Sequence, residues 1–220
     1  MSPREVVLWR HGRTAWNAEG RFQGQTDVPL DATGLAQARA AAPYVAAFAP
    51  DAVLTSDLSR AAGTADAVGE LLGVVPTPDR RLREAYLGNW QGLTREEAAR
   101  AHPEEYAAWQ RGRLRESSES PAELAARAVP AVLEPDVERL LVVTHGGTSR
   151  TVIARLIGLP QEQWAVLGPL GNCHWSHLRW ADRGWRLVAH NAGGEVVPDD
   201  GAATSLDAEG AAAPVSAGTG

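Results

Sequence analysis

Apolar residues along this chain fall into two patterns, short continuous runs and helix-spaced stripes, and the two alternate. Continuous runs occur at Glu5–Trp9 (EVVLW), Ala52–Thr55 (AVLT) and Leu140–Val143 within ERLLVVTHGG. Runs this short, bounded by turn residues, predict buried strands. Val74–Pro76 predicts a further strand at a sheet edge. Between the first two runs, DATGLAQARAAAPYVAAFAP places Leu35, Ala38, Ala42 and Val45 at helical spacing until Pro50. SDLSRAAGTADAVGELLG predicts a helix capped by Ser56 or Asp57 and ended by Gly73. Two short helices are expected around Pro103 in residues 94–112, a longer one over Pro121–Leu133 and another over Thr148–Leu159. CHWSHLRW and WRLVAH alternate around ADRG, the pattern of an antiparallel pair. Parallel-looking buried strands mixed with helices predict an α/β sheet covered by helices.

Length adds one constraint: 220 residues suit a single domain of ordinary size. After Asn191 the sequence turns rich in Gly, Ala, Pro and Ser, with acidic residues and neither basic nor aromatic ones. The expected organisation is therefore a folded body over 1–191 and a disordered acidic tail over 192–220. The net charge of −6 argues against a nucleic-acid partner, and the tail carries most of it. No apolar run reaches membrane-spanning length and no signal-peptide pattern opens the chain, so a cytoplasmic protein is expected. A single cysteine, Cys173, rules out an internal disulfide.

All the basic residues except histidine are arginine; there is no lysine. Schiff-base chemistry and a phosphate-loop lysine are excluded by that absence. An anion site here must use arginine, histidine and backbone N–H groups. Two strands supply candidates at their carboxyl ends, one leading into Arg10-His11-Gly12 and the other into His145-Gly146-Gly147. Ligands of open α/β sheets sit outside those ends, which would bring His11 and His145 together. Arg60 lies near the start of the helix after the second strand, where a guanidinium and a helix N-terminus favour an anion. Glu84 falls in the turn-rich stretch RLREAYLGNWQGLT, a place for a partly desolvated carboxyl able to donate a proton.

Four ordered segments, RHGRTAWNAEGRFQGQTDVPLDATGLAQA, TSDLSRAAGTA, RLREAYLGNWQGLT and VVTHGGTSR, resemble the phosphoglycerate mutase-like branch of the histidine phosphatase superfamily. The resemblance implies a three-layer α/β/α fold with a mostly parallel, mixed central sheet. It implies a phosphohistidine mechanism, with His11 as nucleophile, Glu84 as acid and then base, and His145 beside them. Arg10 and Arg60 would hold phosphate oxygens, and Asn17, Gln23, Gly24 and Gly146 would line the phosphate pocket. No metal and no cofactor are required. The partner would be a small phosphorylated metabolite, with no nucleic acid and no membrane, and a homodimer stays open. One departure is Ser118, which stands where family members often carry the glycine of Gly-Glu-Ser, so an altered loop near the mouth is expected.

Mutases of the branch resemble one another in a longer basic insertion between the acid and the second histidine, which they follow with Gly-Asn. This chain has a short span there and reads His145-Gly146-Gly147, which favours hydrolysis. Within the phosphatases it is similar to actinobacterial glucosyl-3-phosphoglycerate phosphatases; other phosphomonoesters stay open, as do a cofactor-dependent phosphoglycerate mutase and a non-catalytic phosphate-binding module. Other residues invite plainer readings. His174 and His177 have H-x-x-H spacing but would face opposite sides of a strand, which disfavours a shared metal. Cys173 reads as a small buried side chain and Trp9 as core. Trp90 and Trp109 sit in segments placed to roof the pocket. Arg13 and Arg21 are either solvated charges or contacts to a second acidic group on the substrate.

Overall fold

One sheet takes up six strands: β1 (Glu5–Arg10), β2 (Ala52–Thr55), β3 (Thr77–Pro78), β4 (Arg139–Thr144), β5 (Trp175–Ala181) and β6 (Gly184–Ala192). Their spatial order is β3-β2-β4-β1-β5-β6, parallel from β3 to β1 and antiparallel from β1 to β6. The computed structural model describes residues 2–110 and 117–193. Its helices are α1 (Ala15–Ala18), α2 (Ala32–Ala46), α3 (Ser59–Leu72), α4 (Arg95–Ala101), α5 (Pro103–Gln110), α6 (Pro121–Leu133) and α7 (Gly146–Leu156).

The continuous apolar runs work because the inner strands are covered on both sides. Val6, Leu8, Leu140 and Val142 point to one face and meet Ala128, Val132, Val152 and Ile153 of α6 and α7. Val7, Trp9, Leu141 and Val143 point to the other and meet Ala38, Ala42, Val45, Ala61 and Val68 of α2 and α3. This is the expected three-layer α/β/α arrangement with a mixed, mostly parallel sheet. β1 and β4 lie side by side in register, Arg10 opposite Thr144, so their last residues end at one level. The helices that follow in the chain leave for opposite faces, α2 to one and α7 to the other. A crevice opens at the carboxyl end of two parallel strands whose connections part in this way.

Local readings differ from the structure at identifiable points. The edge strand is Thr77–Pro78, not Val74–Pro76. Gly73 adopts a left-handed φ of 67° to end α3, and Val74 spends its N–H on the carbonyl of Gly69, which delays pairing. Leu35 is exposed; α2 packs instead through Gly34, Gln37, Ala38, Ala41, Ala42 and Val45. Neither Ser56 nor Asp57 caps α3, whose N-cap is Leu58 without a side-chain bond. The last long helix begins at Gly146 and ends at Leu156, earlier at both ends than expected. Ala192 closes β6, and the tail expected from that residue lies, beyond Gly193, outside the described residues.

The turn after β1 is gripped by α2. Gln37 Oε1 accepts from the Arg13 N–H at 2.9 Å, and Asp31 takes the Arg13 guanidinium at 2.9 Å while capping α2 through the Gly34 N–H. Gly34 has no room for a side chain, since a Cβ there would overlap the Arg13 backbone; one on Gly12 would overlap the Gly34 carbonyl. Gly34→Ala is therefore expected to destabilise the fold by about 1–3 kcal/mol through overpacking. Gly63 in α3 has ordinary contact space, and Gly63→Ala is expected to be neutral or to stabilise by about 0.5–1 kcal/mol. Urea unfolding of the two variants checks the contrast, and equal effects would refute the tight α2 contact.

Candidate active site

His11 follows β1 and His145 follows β4, and their ring centroids stand 5.1 Å apart. Both are fully buried. Main-chain bonds set their height: His11 N–H donates to the Thr144 carbonyl at 3.0 Å, and Cys173 N–H and Asn172 Nδ2 donate to the His11 carbonyl. Each ring is oriented by one further bond. His11 Nδ1 lies 2.7 Å from the Gly12 carbonyl, which can only accept, so Nδ1 carries the proton and Nε2 the lone pair. His145 Nε2 lies 2.9 Å from Ser56 Oγ, which itself accepts from the Leu58 N–H. Among the described residues His11 Nε2 and His145 Nδ1 have no hydrogen-bond partner.

Two arginines surround this pair. Arg10 and Arg60 are buried as completely as the histidines. Arg10 Nη1 donates to the Leu170 carbonyl at 2.6 Å, and Arg60 donates to the carbonyls of Thr26 and Gly24 at 2.9 and 2.8 Å. Gly24 holds a left-handed φ of 54°, which turns its carbonyl into place. Burial, then the charges of Arg60 and Arg10, push the His11 pKa well below 6.5, against the smaller opposing pull of the Gly12 carbonyl. His145 is lowered by burial first, then by Arg60, His11, Arg10 and Arg127. Both rings are neutral at neutral pH, and His11 holds a buried lone pair at Nε2 near two fixed cations.

Glu84, also buried, sits at the N-terminus of α7. Its Oε2 accepts from the Gly147 N–H at 2.9 Å; its Oε1 accepts from the N–H groups of Ala85 and Thr148 at 2.8 and 3.1 Å. The Thr148 hydroxyl is 3.2 Å from Oε1 and 2.9 Å from the Arg83 carbonyl. Both carboxyl oxygens thus have partners, and a Cβ on Gly147 would press against them. Asn17 and Gln23 are buried in the turn after β1, their side-chain oxygens turned toward Thr14. Asn172 Nδ2 reaches both the His11 carbonyl and Asn17 Oδ1. Gly146 is the first residue of α7, directly after His145.

The structure therefore brings His11, His145, Arg10 and Arg60 together, with Glu84 bonded to the first turn of the helix that follows His145. The remaining sequence candidates sort differently. Arg13 is paired to Asp31, and Arg21 to Glu19 and Glu97. Trp90 is fully buried and packs with Phe22, Tyr106 and Trp109 in a separate cluster, so it is core beneath that segment, not roof. Trp9 lies in the main core. Cys173 is buried, which pushes its thiol pKa up and makes it inert. His177 turns to Glu5 at 2.5 Å and to Phe48, away from His174. Among the described residues no His/Cys/Asp/Glu group is placed to hold a metal ion, and no helix is long and apolar enough to cross a membrane. Sequence reasoning missed Ser56, Thr148, Gly147, Asn172 and Arg127. Of these, Ser56 alone had a signal, its place at the end of a predicted strand.

Neutral buried histidines make stability depend on pH. The unfolded chain binds protons near pH 6.5 that the folded chain refuses, so the contribution is complete above that pH and is lost as pH falls below it. One such histidine contributes a slope of at most about 1.4 kcal/mol per pH unit. Denaturant unfolding from pH 7 to pH 5 is expected to show a loss steeper in the wild type than in His11→Gln, by an amount approaching that limit. Equal slopes would mean that His11 titrates normally.

Comparison with known proteins follows the same outline. The model of the family described as histidine phosphatase superfamily (branch 1) matches residues 6–193. The chain is 38% identical over 224 residues to a glucosyl-3-phosphoglycerate phosphatase of Mycolicibacterium vanbaalenii, covering 90% of this chain and 99% of that one. It is 34% identical over 217 residues to a probable phosphoglycerate mutase of Salmonella paratyphi C, covering 93% and 95%. A solved mycobacterial glucosyl-3-phosphoglycerate phosphatase complexed with VO3 matches with a TM-score of 0.79 and 38% identity, over 86% of this chain and 100% of that one. The chain belongs to the histidine phosphatase superfamily, and it is a phosphatase of that kind.

Proposed function

We propose that the chain hydrolyses a phosphomonoester without a metal ion, through a phosphohistidine on His11. The observation that carries this reading is a neutral, buried His11 whose Nδ1 proton is fixed on the Gly12 carbonyl, whose Nε2 carries the lone pair, and on which the charges of Arg60 and Arg10 act. In the first half-reaction Nε2 forms a bond to phosphorus as the ester P–O bond breaks, and Glu84 gives its proton to the departing alkoxide. The ring gains positive charge as it is phosphorylated, and the Gly12 carbonyl supports it through the Nδ1 proton. Arg10, Arg60 and the Nδ1–H of His145 hold the phosphoryl oxygens, where their fixed positive charge stabilises the transfer. Asn17, Gln23, Gly24 and Gly146 shape the surrounding pocket. In the second half-reaction Glu84 takes a proton from water, the water oxygen bonds to phosphorus and the P–N bond breaks. Phosphate leaves and both groups return to their starting states.

The substrate proposed is glucosyl-3-phosphoglycerate. Supporting it are the relatives of that name, matched along almost their full length; the short span between Glu84 and His145 supports hydrolysis over isomerisation.

The test is phosphate release by EDTA-treated protein from glucosyl-3-phosphoglycerate, 3-phosphoglycerate and simple phosphomonoesters. The expected result is metal-independent release with preference for the first, abolished by His11→Ala together with capture of labelled phosphate on the protein. Preference for another ester would replace the substrate and keep the mechanism. Bisphosphate-stimulated interconversion of 3- and 2-phosphoglycerate would make the protein a mutase, and inactivity on every ester would make it a phosphate-binding module.

A further inference from the structure

Arg127 of α6 lies outside the histidine–arginine cluster, yet all five of its guanidinium N–H donors are engaged. Nε donates to Glu119 Oε1 at 2.6 Å, and Nη2 donates to Glu119 Oε2 at 2.7 Å and to the Glu84 carbonyl at 2.9 Å. Nη1 donates to the carbonyls of Arg81 and Arg83, both at 2.7 Å. Glu119 holds the same loop by its other edge: Oε2 accepts from the Tyr86 N–H at 3.1 Å, and its own N–H donates to the Tyr86 carbonyl at 2.8 Å. The pair is largely shielded, with Arg127 21% and Glu119 14% exposed. Ser120, next to Glu119, caps α6 in a reciprocal box with Glu123, which anchors the pair to a rigid helix. In the same loop the Ser117 carbonyl packs against Gly88.

We infer that Arg127 and Glu119 are positioning residues for proton transfer by Glu84. This rests on the reading of Glu84 as the general acid. The Glu84 carboxyl group is fixed at its tip by the N-terminus of α7, and its backbone is fixed by the Arg127 fork. A side chain held at both ends keeps its proton-bearing oxygen aligned with the leaving group, a placement on which transfer depends steeply. Arginine is required because five donors in a planar fork are in use, whereas lysine has three around one point. The bonds of both residues go to the loop around Glu84, so the device acts on the leaving group, and Arg127 reaches phosphoryl binding only through its charge near His145.

That separation gives the test. Leaving groups that depart without a proton, such as p-nitrophenolate, bypass the acid; alkoxides do not. The kcat/KM, which reports the first phosphoryl transfer, is measured for p-nitrophenyl phosphate and for the alkyl phosphate turned over best. Arg127→Met is expected to lower the alkyl value about 100-fold, within the range of acid catalysis, and the p-nitrophenyl value less than about 3-fold. Arg127→Lys is expected to recover little of the loss. Glu119→Gln, which keeps the shape and removes the charge, should show the same selectivity at smaller size and carries the test if Arg127→Met fails to fold. Equal losses on both substrates, or no loss on either, overturn the inference. Glu84→Gln in the same assay separates the two levels. If it is selective while the Arg127 and Glu119 variants are not, the positioning role alone falls; if it is unselective, Glu84 is not the acid and the inference falls with that reading.

Discussion

Two guanidinium groups that cannot give up their protons are buried around one histidine, and the rest of the site is arranged to tolerate them. Burying a charge costs several kcal/mol even after relaxation. Arg10 donates to the carbonyl of Leu170, and Arg60 to those of Thr26 and Gly24. Those carbonyls come from the turn after β1 and the approach to β5, so segments distant in sequence are shaped around the same positive potential. The two histidines answer by staying neutral. A buried, positive site with a neutral histidine is poised for an anion, and the cations need no reorganisation when charge arrives.

How much of this could be read from the sequence depends on which atoms do the work. His11 and His145 were legible because each follows an apolar run at a strand end, and parallel pairing of β1 with β4 makes those ends meet. Arg60 and Glu84 were legible through their motifs. The partners of Glu84 were not: Gly147 and Thr148 act through main-chain N–H groups, whose direction no residue type announces. Arg127 is read from sequence as one more helical charge, since its partners are carbonyls brought to it by tertiary packing. Ser56 was misread as a helix cap because a serine before a helix has that use more often; here its oxygen faces His145.

The fold was legible to a similar depth. Continuous apolar runs gave the inner strands, because helices cover both sheet faces. The α2 stripe misled at Leu35, since that helix approaches its neighbours through glycine and alanine, and close backbone contact excludes larger side chains. The outer strand shifted because its pairing spans only two residues, Leu54 with Thr77 and Thr55 with Pro78, too few for a pattern to specify.

Glu84, the acid of the proposed mechanism, is secured from behind. Its tip rests on α7 and its backbone on α6, and neither helix need meet the departing part of a substrate. The walls of the mouth can therefore be rebuilt by mutation with the proton donor left where it is. A scaffold wired in this way can exchange one ester for another over evolutionary time, because changes that alter recognition and changes that would damage bond cleavage fall on different residues.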